Sequence, residues 1–189
     1  DIERATSSYG HGISVTPLHA VMAGAAMVNG GILYQPSLRK VGLPVGERVI
    51  SAKTSAELRA MMRAVVASGT GRQANVPGYQ VLGKTGSAEK PQAGGYNTDA
   101  LVTSFLGAFP AHAPRYAMLV MLDEPQATAD TYGYNLAGWN AAPAAAEIVR
   151  RIAPLLGVLP HFENPDEQAA LALPTPAQDL MGALADASR

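Results

Sequence analysis

Apolar and polar positions change period several times along the chain, and each change marks an element. The run SVTPLHAVMAGAAMVNGG, Ser14 to Gly31, is apolar almost throughout, opens with Ser14 or Thr16 as a cap and Pro17 at the first helical position, and closes on Asn29-Gly30-Gly31. That combination predicts a buried helix of about three turns. ILYQPSLRKVG and ERVIS read as short strands around a Gly/Pro turn. In SAKTSAELRAMMRAVVASGTG, Leu58, Met61, Met62, Val65 and Val66 recur at helical spacing, which predicts a second helix ending near Ser68-Gly69. Three strand-like runs follow, YQVLGKTG, VTSFLGAFPA and RYAMLVMLDEP, and AAPAAAEIVRRIAPLLGV reads as a closing helix with Pro143 near its start. The connections between the three strands are too short for crossover helices, so the strands are expected to be antiparallel neighbours. The pattern predicts an α+β fold, an antiparallel sheet flanked by helices, over residues 1–160. From residue 161 on, Asn164-Pro165, Pro174, Pro176 and alanine predict a flexible tail with at most one short helix around Ala177 to Ala187.

Composition narrows what such a domain does. The 189 residues carry 48% hydrophobic and 15% charged side chains and a net charge of −1, with no block of like charge, so no footprint for nucleic acid or an anionic membrane surface is present. Without cysteine there are neither disulfides nor thiolate metal sites. His11, His19, His112 and His161 lack metal-ligand spacing, and neither a metal nor a cofactor is expected. No apolar stretch reaches the ~20 residues of a membrane span. Asp1 reads as a position inside a longer protein, so any export signal or membrane anchor is expected outside this sequence.

One stretch invites a specific chemistry. GYQVLGKT, Gly78 to Thr85, satisfies G-x-x-x-x-G-K-[ST], the phosphate cradle of P-loop NTPases, and the apolar run ending in Asp123-Glu124 imitates their magnesium-binding strand. Such a cradle needs flexible residues between its glycines and a helix beginning at the lysine. Tyr79, Gln80, Val81 and Leu82 are instead strand formers, and Gly86, Pro91, Gly94 and Gly95 cannot carry the helix. Asp123-Glu124, followed at once by Pro125, more simply ends a strand.

Read as a strand and turn, the same residues give Lys84-Thr85-Gly86, the K-T-G of serine transpeptidases and β-lactamases. Its neighbours add specificity: YGHGISVTPLHAVMAGAAMVNGG upstream, SGTGRQANVPGYQVLGKTGSAEK through the motif, then SFLGAFPAHAPRYAMLVMLDEP and AGWNAAPAAAEIVRRIAPLLGV. From about Tyr9 to Pro160 this ordered set resembles the C-terminal half of the transpeptidase domain of class B penicillin-binding proteins, particularly the septal members. The resemblance implies an edge strand that takes a D-Ala-D-Ala stem-peptide terminus, or a β-lactam imitating it, as a further strand. It implies that Lys84 supplies positive charge near the nucleophile and the substrate carboxylate, and that the Thr85 and Ser87 hydroxyls bind that carboxylate. It also implies that Gly86 permits close approach and that the Ser87 N–H forms half of the oxyanion hole. Ser87 stands where the family usually has threonine. Tyr134, with Tyr132 and Trp139, falls where relatives place aromatics at the substrate mouth. Asn97 and Asp99 read as turn formers after K-T-G, and Glu147 with Arg150 and Arg151 as a helix-surface pair.

The rest of such a catalytic set does not follow. No S-x-N occurs. S-x-x-K occurs at Ser37 to Lys40 and Ser87 to Lys90, but the first lies in a strand-like run after Pro36 and the second overlaps K-T-G and meets Pro91, so neither holds its pair on one helical face. The chain is therefore expected to lack the nucleophile and to work with an N-terminal half of the same enzyme, anchored at the periplasmic face of the inner membrane through a segment outside this sequence, among cell-division proteins. A catalytically silent module binding peptidoglycan or division proteins is the alternative, and the P-loop NTPase a remote one.

Overall fold

The computed structural model describes residues 13–40, 42, 44–92 and 95–162. The expected tail, and with it the boundary after residue 160, lies outside the described residues except at His161 and Phe162.

Helix α1, Pro17–Val28, starts as its sequence requires: Thr16 is the N-cap, its hydroxyl accepting the His19 N–H (3.2 Å), and Pro17 fills the first helical position. Asn29 ends it and turns the chain, its side-chain oxygen accepting from the N–H groups of Gly31 and Ile32. Gly31 has φ +92, and a Cβ there would strike the carbonyl oxygen of Ile50, so only glycine fits this corner. The corner leads into β1, Ile32–Tyr34, which pairs antiparallel with β2, Gly46–Arg48. Ser51 caps α2, Ala52–Ala67, by accepting the Thr54 N–H at 3.0 Å. The fully buried Ser55 accepts from Gly30 N–H (3.0 Å) and donates to Met27 O (2.8 Å). A buried hydroxyl with both roles filled carries no desolvation penalty and fastens the end of α1 to the start of α2.

A 3₁₀ turn at Arg72–Ala74 precedes three antiparallel strands in the order β3 (Leu82–Gln92), β4 (Gly95–Phe109), β5 (Tyr116–Asp123). The register, Thr85 opposite Phe105 and Ser87 opposite Thr103, with Phe105 in turn opposite Val120, sorts side chains onto two faces. Phe105 and Phe109 point into the larger core with Val66, Val81 and the alanine-rich face of α3, Ala141–Ile152. Leu82 and Ala108 point the other way, against Val28 of α1 and Met62 of α2. The Phe105 ring lies where a Cβ on Gly83 or Gly107 would be. Two strand glycines thus make room for one aromatic.

Two expectations shift. The first long strand begins at Leu82 rather than Tyr79, because Gly78 (φ +82) and Gln80 (φ +45) are left-handed and turn the backbone before it. Asn97 and Asp99 belong to β4 and not to a loop, since the hairpin continues to Gln92 opposite Gly95. Among the described residues no helix is long and apolar enough to cross a membrane.

Phe105→Ala should cost about 3–5 kcal/mol and Gly83→Ala about 1–3 kcal/mol in urea unfolding. Gly42→Ala, where a Cβ meets nothing within 4 Å, should stay within about 0.5 kcal/mol.

Candidate functional site

Among the described residues, strand β3 is paired on one side only, with β4. Its Lys84 and Ser87 are exposed, and Thr85 and Gly86 are half-buried. Beside them is a cavity of about 680 Å³ with three walls: Ser68 to Thr70 with Arg72 and Gln73, the strand residues Lys84, Thr85 and Ser87, and Leu136 to Trp139. The structure therefore brings together the motif residues expected from the sequence and adds two segments to them.

The first addition is the turn after α2. Gly69 and Gly71 both donate to Val65 O (3.0 and 3.1 Å), which curls the chain back toward β3. Thr70 then stands with its hydroxyl 2.9 Å from that of Thr85. One hydroxyl donates to the other, so the pair keeps one O–H to offer a ligand. SGTG was part of the resemblance, but its spacing from Lys84 carried no sign of this contact.

The second addition is the loop before α3. Ser87 Oγ accepts the Ala137 N–H at 3.0 Å, which leaves the Ser87 proton to point at an acceptor in the cavity. The Ala137 carbonyl accepts the Ala142 N–H at 2.8 Å, and the loop is closed by Asn140, the N-cap of α3. Its Oδ1 accepts from Ala141 N–H (2.7 Å) and from the fully buried Thr103 hydroxyl (2.8 Å), while its Nδ2 donates to Asn135 O (2.9 Å). Thr103 lies directly opposite Ser87 in the ladder. The helix cap, the loop and the Thr103 hydroxyl are thus joined through the Asn140 side chain. An asparagine before an alanine run is a readable cap signal; its second bond, to Thr103 37 residues away, is not.

The aromatics take adjacent places. Trp139 and Leu136 line the cavity, and Tyr134 stacks on Trp139 (centroids 5.1 Å, planes at 16°) with Tyr132 edge-on to it at 5.5 Å. Tyr134, half exposed, thus stands beside the cavity and backs its Trp139 wall. Lys84 Nζ donates to Thr85 O at 2.7 Å. Among the described residues that line the cavity there is no carboxylate, while Lys84 and Arg72 both carry positive charge, so the site favours an anion.

Neither S-x-x-K holds its serine and lysine on a helix. Ser37 bonds to the backbone of Arg39 in an irregular turn. Ser87 and Lys90 lie on β3, which runs on from Lys84 as a strand where a P-loop would need a helix. Lys90 instead pairs with Asp123 (2.6 Å) and Glu124 (2.7 Å), the two acids that imitate a magnesium strand. A register shift between Glu89 and Lys90 accompanies this contact across the sheet. On α3, Glu147 pairs with Arg150 and Arg151 as expected.

A family model described as the penicillin binding protein transpeptidase domain matches residues 1–150. Among curated proteins the chain is similar to the probable peptidoglycan D,D-transpeptidase FtsI of Caulobacter vibrioides, 44% identical over 166 residues, covering 82% of this chain and 28% of that protein. It is similar to the stage V sporulation protein D of Bacillus subtilis, 40% identical over 173 residues, covering 85% and 26%. Two solved structures resemble it. One is the transpeptidase domain of Burkholderia pseudomallei penicillin-binding protein 3, with TM-score 0.77 and 36% identity, covering 86% of this chain and 49% of that one. The other is Mycobacterium tuberculosis penicillin-binding protein 3 complexed with ampicillin, with TM-score 0.69 and 33% identity, covering 82% and 38%. The chain thus spans little more than a quarter of these curated relatives.

Hydrogen bonds to Asp123 and then Glu124 hold the Lys90 ammonium above the usual lysine pKa. A pKa raised on folding stabilises the fold fully below the unfolded value, about 10.4, and that contribution disappears as pH rises through the folded value. Lys90→Met should therefore lower Tm by a constant amount at neutral pH, and the gap to wild type should close above about pH 10.4. Thermal unfolding across pH 7 to 11.5 checks this.

Proposed function

This chain belongs to the penicillin-binding protein transpeptidase family, and from that premise we propose that it is the substrate-strand portion of a serine D,D-transpeptidase that cross-links peptidoglycan stem peptides at the division septum. The observation that carries the reading is the open edge of β3, where Lys84, Thr85 and Ser87 face a cationic cavity. An extended peptide laid along that edge gains main-chain hydrogen bonds as a fourth strand. Its C-terminal carboxylate meets the hydroxyls of Thr85 and Ser87, each already oriented by a neighbour, and the positive charge of Lys84. The scissile carbonyl then lies against the Ser87 N–H, which donates to the oxygen as negative charge develops on it.

The nucleophilic serine, its S-x-x-K lysine and the S-x-N relay belong to a segment outside this sequence. There, the serine oxygen attacks the penultimate D-alanine carbonyl, its proton passes to a neighbouring base, and the terminal D-alanine leaves with a proton on its amine. An acceptor amine of a second stem peptide then displaces the serine and restores it. β-Lactams, which imitate the D-Ala-D-Ala terminus, acylate the same serine. On this reading the enzyme works at the periplasmic face of the inner membrane among division proteins, with its anchor outside this chain.

Three outcomes test the proposal. This chain alone should form no covalent adduct with labelled benzylpenicillin by mass spectrometry, and the full-length protein should form one at a serine outside this sequence. In the full-length protein Lys84→Ala should slow acylation at least about tenfold, since losing a charged donor is worth roughly 1.5 to 3 kcal/mol, and Ser87→Thr should change the rate much less. An adduct on Ser37 or Ser87, or indifference to Lys84→Ala, contradicts the reading. The chain should also show no submillimolar ATP affinity by calorimetry, because the helix a phosphate cradle needs is a strand here.

A further inference from the structure

Ser87 is the least constrained of the groups assigned to the substrate carboxylate. Its side chain has no branch at Cβ, so nothing within the residue selects one χ1 well as a threonine methyl would. Among the described residues one group bonds its hydroxyl, the Ala137 N–H at 3.0 Å. That N–H takes a lone pair of Oγ and leaves the proton to point into the cavity that Ser87 lines. The direction of the Ser87 hydroxyl therefore depends on where Ala137 stands. Ala137 is 1% exposed and has no polar side chain, so only its backbone can be held in place by hydrogen bonds.

Ala137 lies in the loop from Asn135 to Asn140, and the Asn140 side chain closes that loop at its base. Nδ2 donates to Asn135 O at 2.9 Å, while Oδ1 accepts from Ala141 N–H at 2.7 Å and from the Thr103 hydroxyl at 2.8 Å. Inside the closed loop Trp139 N–H donates to Leu136 O at 2.9 Å. On the cavity side a Cβ added to Gly138 would lie 2.7 Å from Thr70 O, so the loop backbone is seated against the turn after α2. The sheet end is equally fixed, because Thr103 is fully buried and stands opposite Ser87 in the ladder. A helix cap alone needs only an acceptor for the first N–H groups. The other two bonds of Asn140 reach the loop and the β4 residue paired with Ser87, and together they set the distance from the Ala137 N–H to Ser87 Oγ from both sides. We infer that Asn140, which does not itself line the cavity, is a positioning residue for carboxylate recognition: it keeps the Ala137 N–H on Ser87 and thereby aims the Ser87 proton at the carboxylate of a stem peptide or β-lactam. The inference rests on the transpeptidase reading and deepens it, since it gives Asn140 no contact with substrate and makes the serine hydroxyl its only route of action.

The test is a double-mutant cycle on the full-length protein, read as the second-order rate of acylation by benzylpenicillin from intact-mass measurements. Asn140→Ser keeps a good helix cap and removes the donation to Asn135 O. It should slow acylation at least about threefold, and in a Ser87→Ala background, where no hydroxyl remains to aim, by less than about 1.5-fold. Thr103→Val withdraws the bond from the sheet side, serves as the second variant, and should show the same pattern. A merely structural role would loosen the whole wall and slow acylation equally in the two backgrounds. Equal slowing in both, or no slowing by either variant when Ser87 is present, overturns the inference and leaves the transpeptidase reading standing. A wild-type protein that benzylpenicillin does not acylate removes that reading, and this inference with it.

Discussion

Among the described residues, strand β3 is hydrogen-bonded along one edge only, and the surrounding elements keep the other edge open and the strand rigid. An unpaired strand of eleven residues is ordinarily a liability, because its free N–H and C=O groups recruit any extended chain. Here the inner edge is committed to β4 over the whole length of β3, and Phe105 locks the pair by filling the space above two glycines. Only the side facing the cavity is left to choose a partner. Selectivity then falls to the side chains beside it: two positive charges without a carboxylate between them, and two hydroxyls whose directions are fixed by Thr70 and Ala137. On the proposed reading, backbone pairing supplies affinity for any strand, and these groups favour one that ends in a carboxylate.

Rigidity comes from connecting the strand to elements that cannot move independently. Asn140 caps α3 and bonds Thr103 of β4, so the loop that delivers the Ala137 N–H to Ser87 is fixed by both the helix and the sheet. Further along β3, Lys90 reaches Asp123 and Glu124 at the end of β5. The segment from Glu124 to Asn140 is thus tied to β3 near both of its ends, with the stacked Tyr134 and Trp139 standing between. A wall held this way keeps its geometry while a ligand exchanges, which is what positioning for reaction demands.

Elements governed by local chemistry were legible from the sequence. Thr16 with Pro17 and Asn29-Gly30-Gly31 mark the limits of one helix, and the Leu58 to Val66 spacing with Ser68-Gly69 the end of another, within a residue or two of those observed. The strand identity of Lys84 to Ser87 followed from the residues before it and the helix breakers after it, and this removed the phosphate-cradle reading. Contacts between distant residues carried no such mark. Thr70 and Thr85 are 15 positions apart, Thr103 and Asn140 37 apart, and Gln80 and His112 32 apart, and each pair meets only once distant elements have packed together. Gln80 also moved the start of β3, since nothing in its residue type announces a left-handed conformation that only its buried partners sustain. The two misleading motifs have a shared outcome: the lysine of Ser87-x-x-Lys90 and the acids of the false magnesium strand meet as one ion-paired cluster.

The central claim is that the open edge of β3 receives the substrate, with the Ser87 N–H on the reacting carbonyl. A crystal structure of the full-length protein acylated by benzylpenicillin tests it most directly. The account predicts the acyl carbonyl oxygen about 3 Å from the Ser87 nitrogen, with the penicillin carboxylate on the hydroxyls of Thr85 and Ser87. An acylated serine whose carbonyl oxygen is bound away from β3, or a carboxylate that contacts neither hydroxyl, would contradict it.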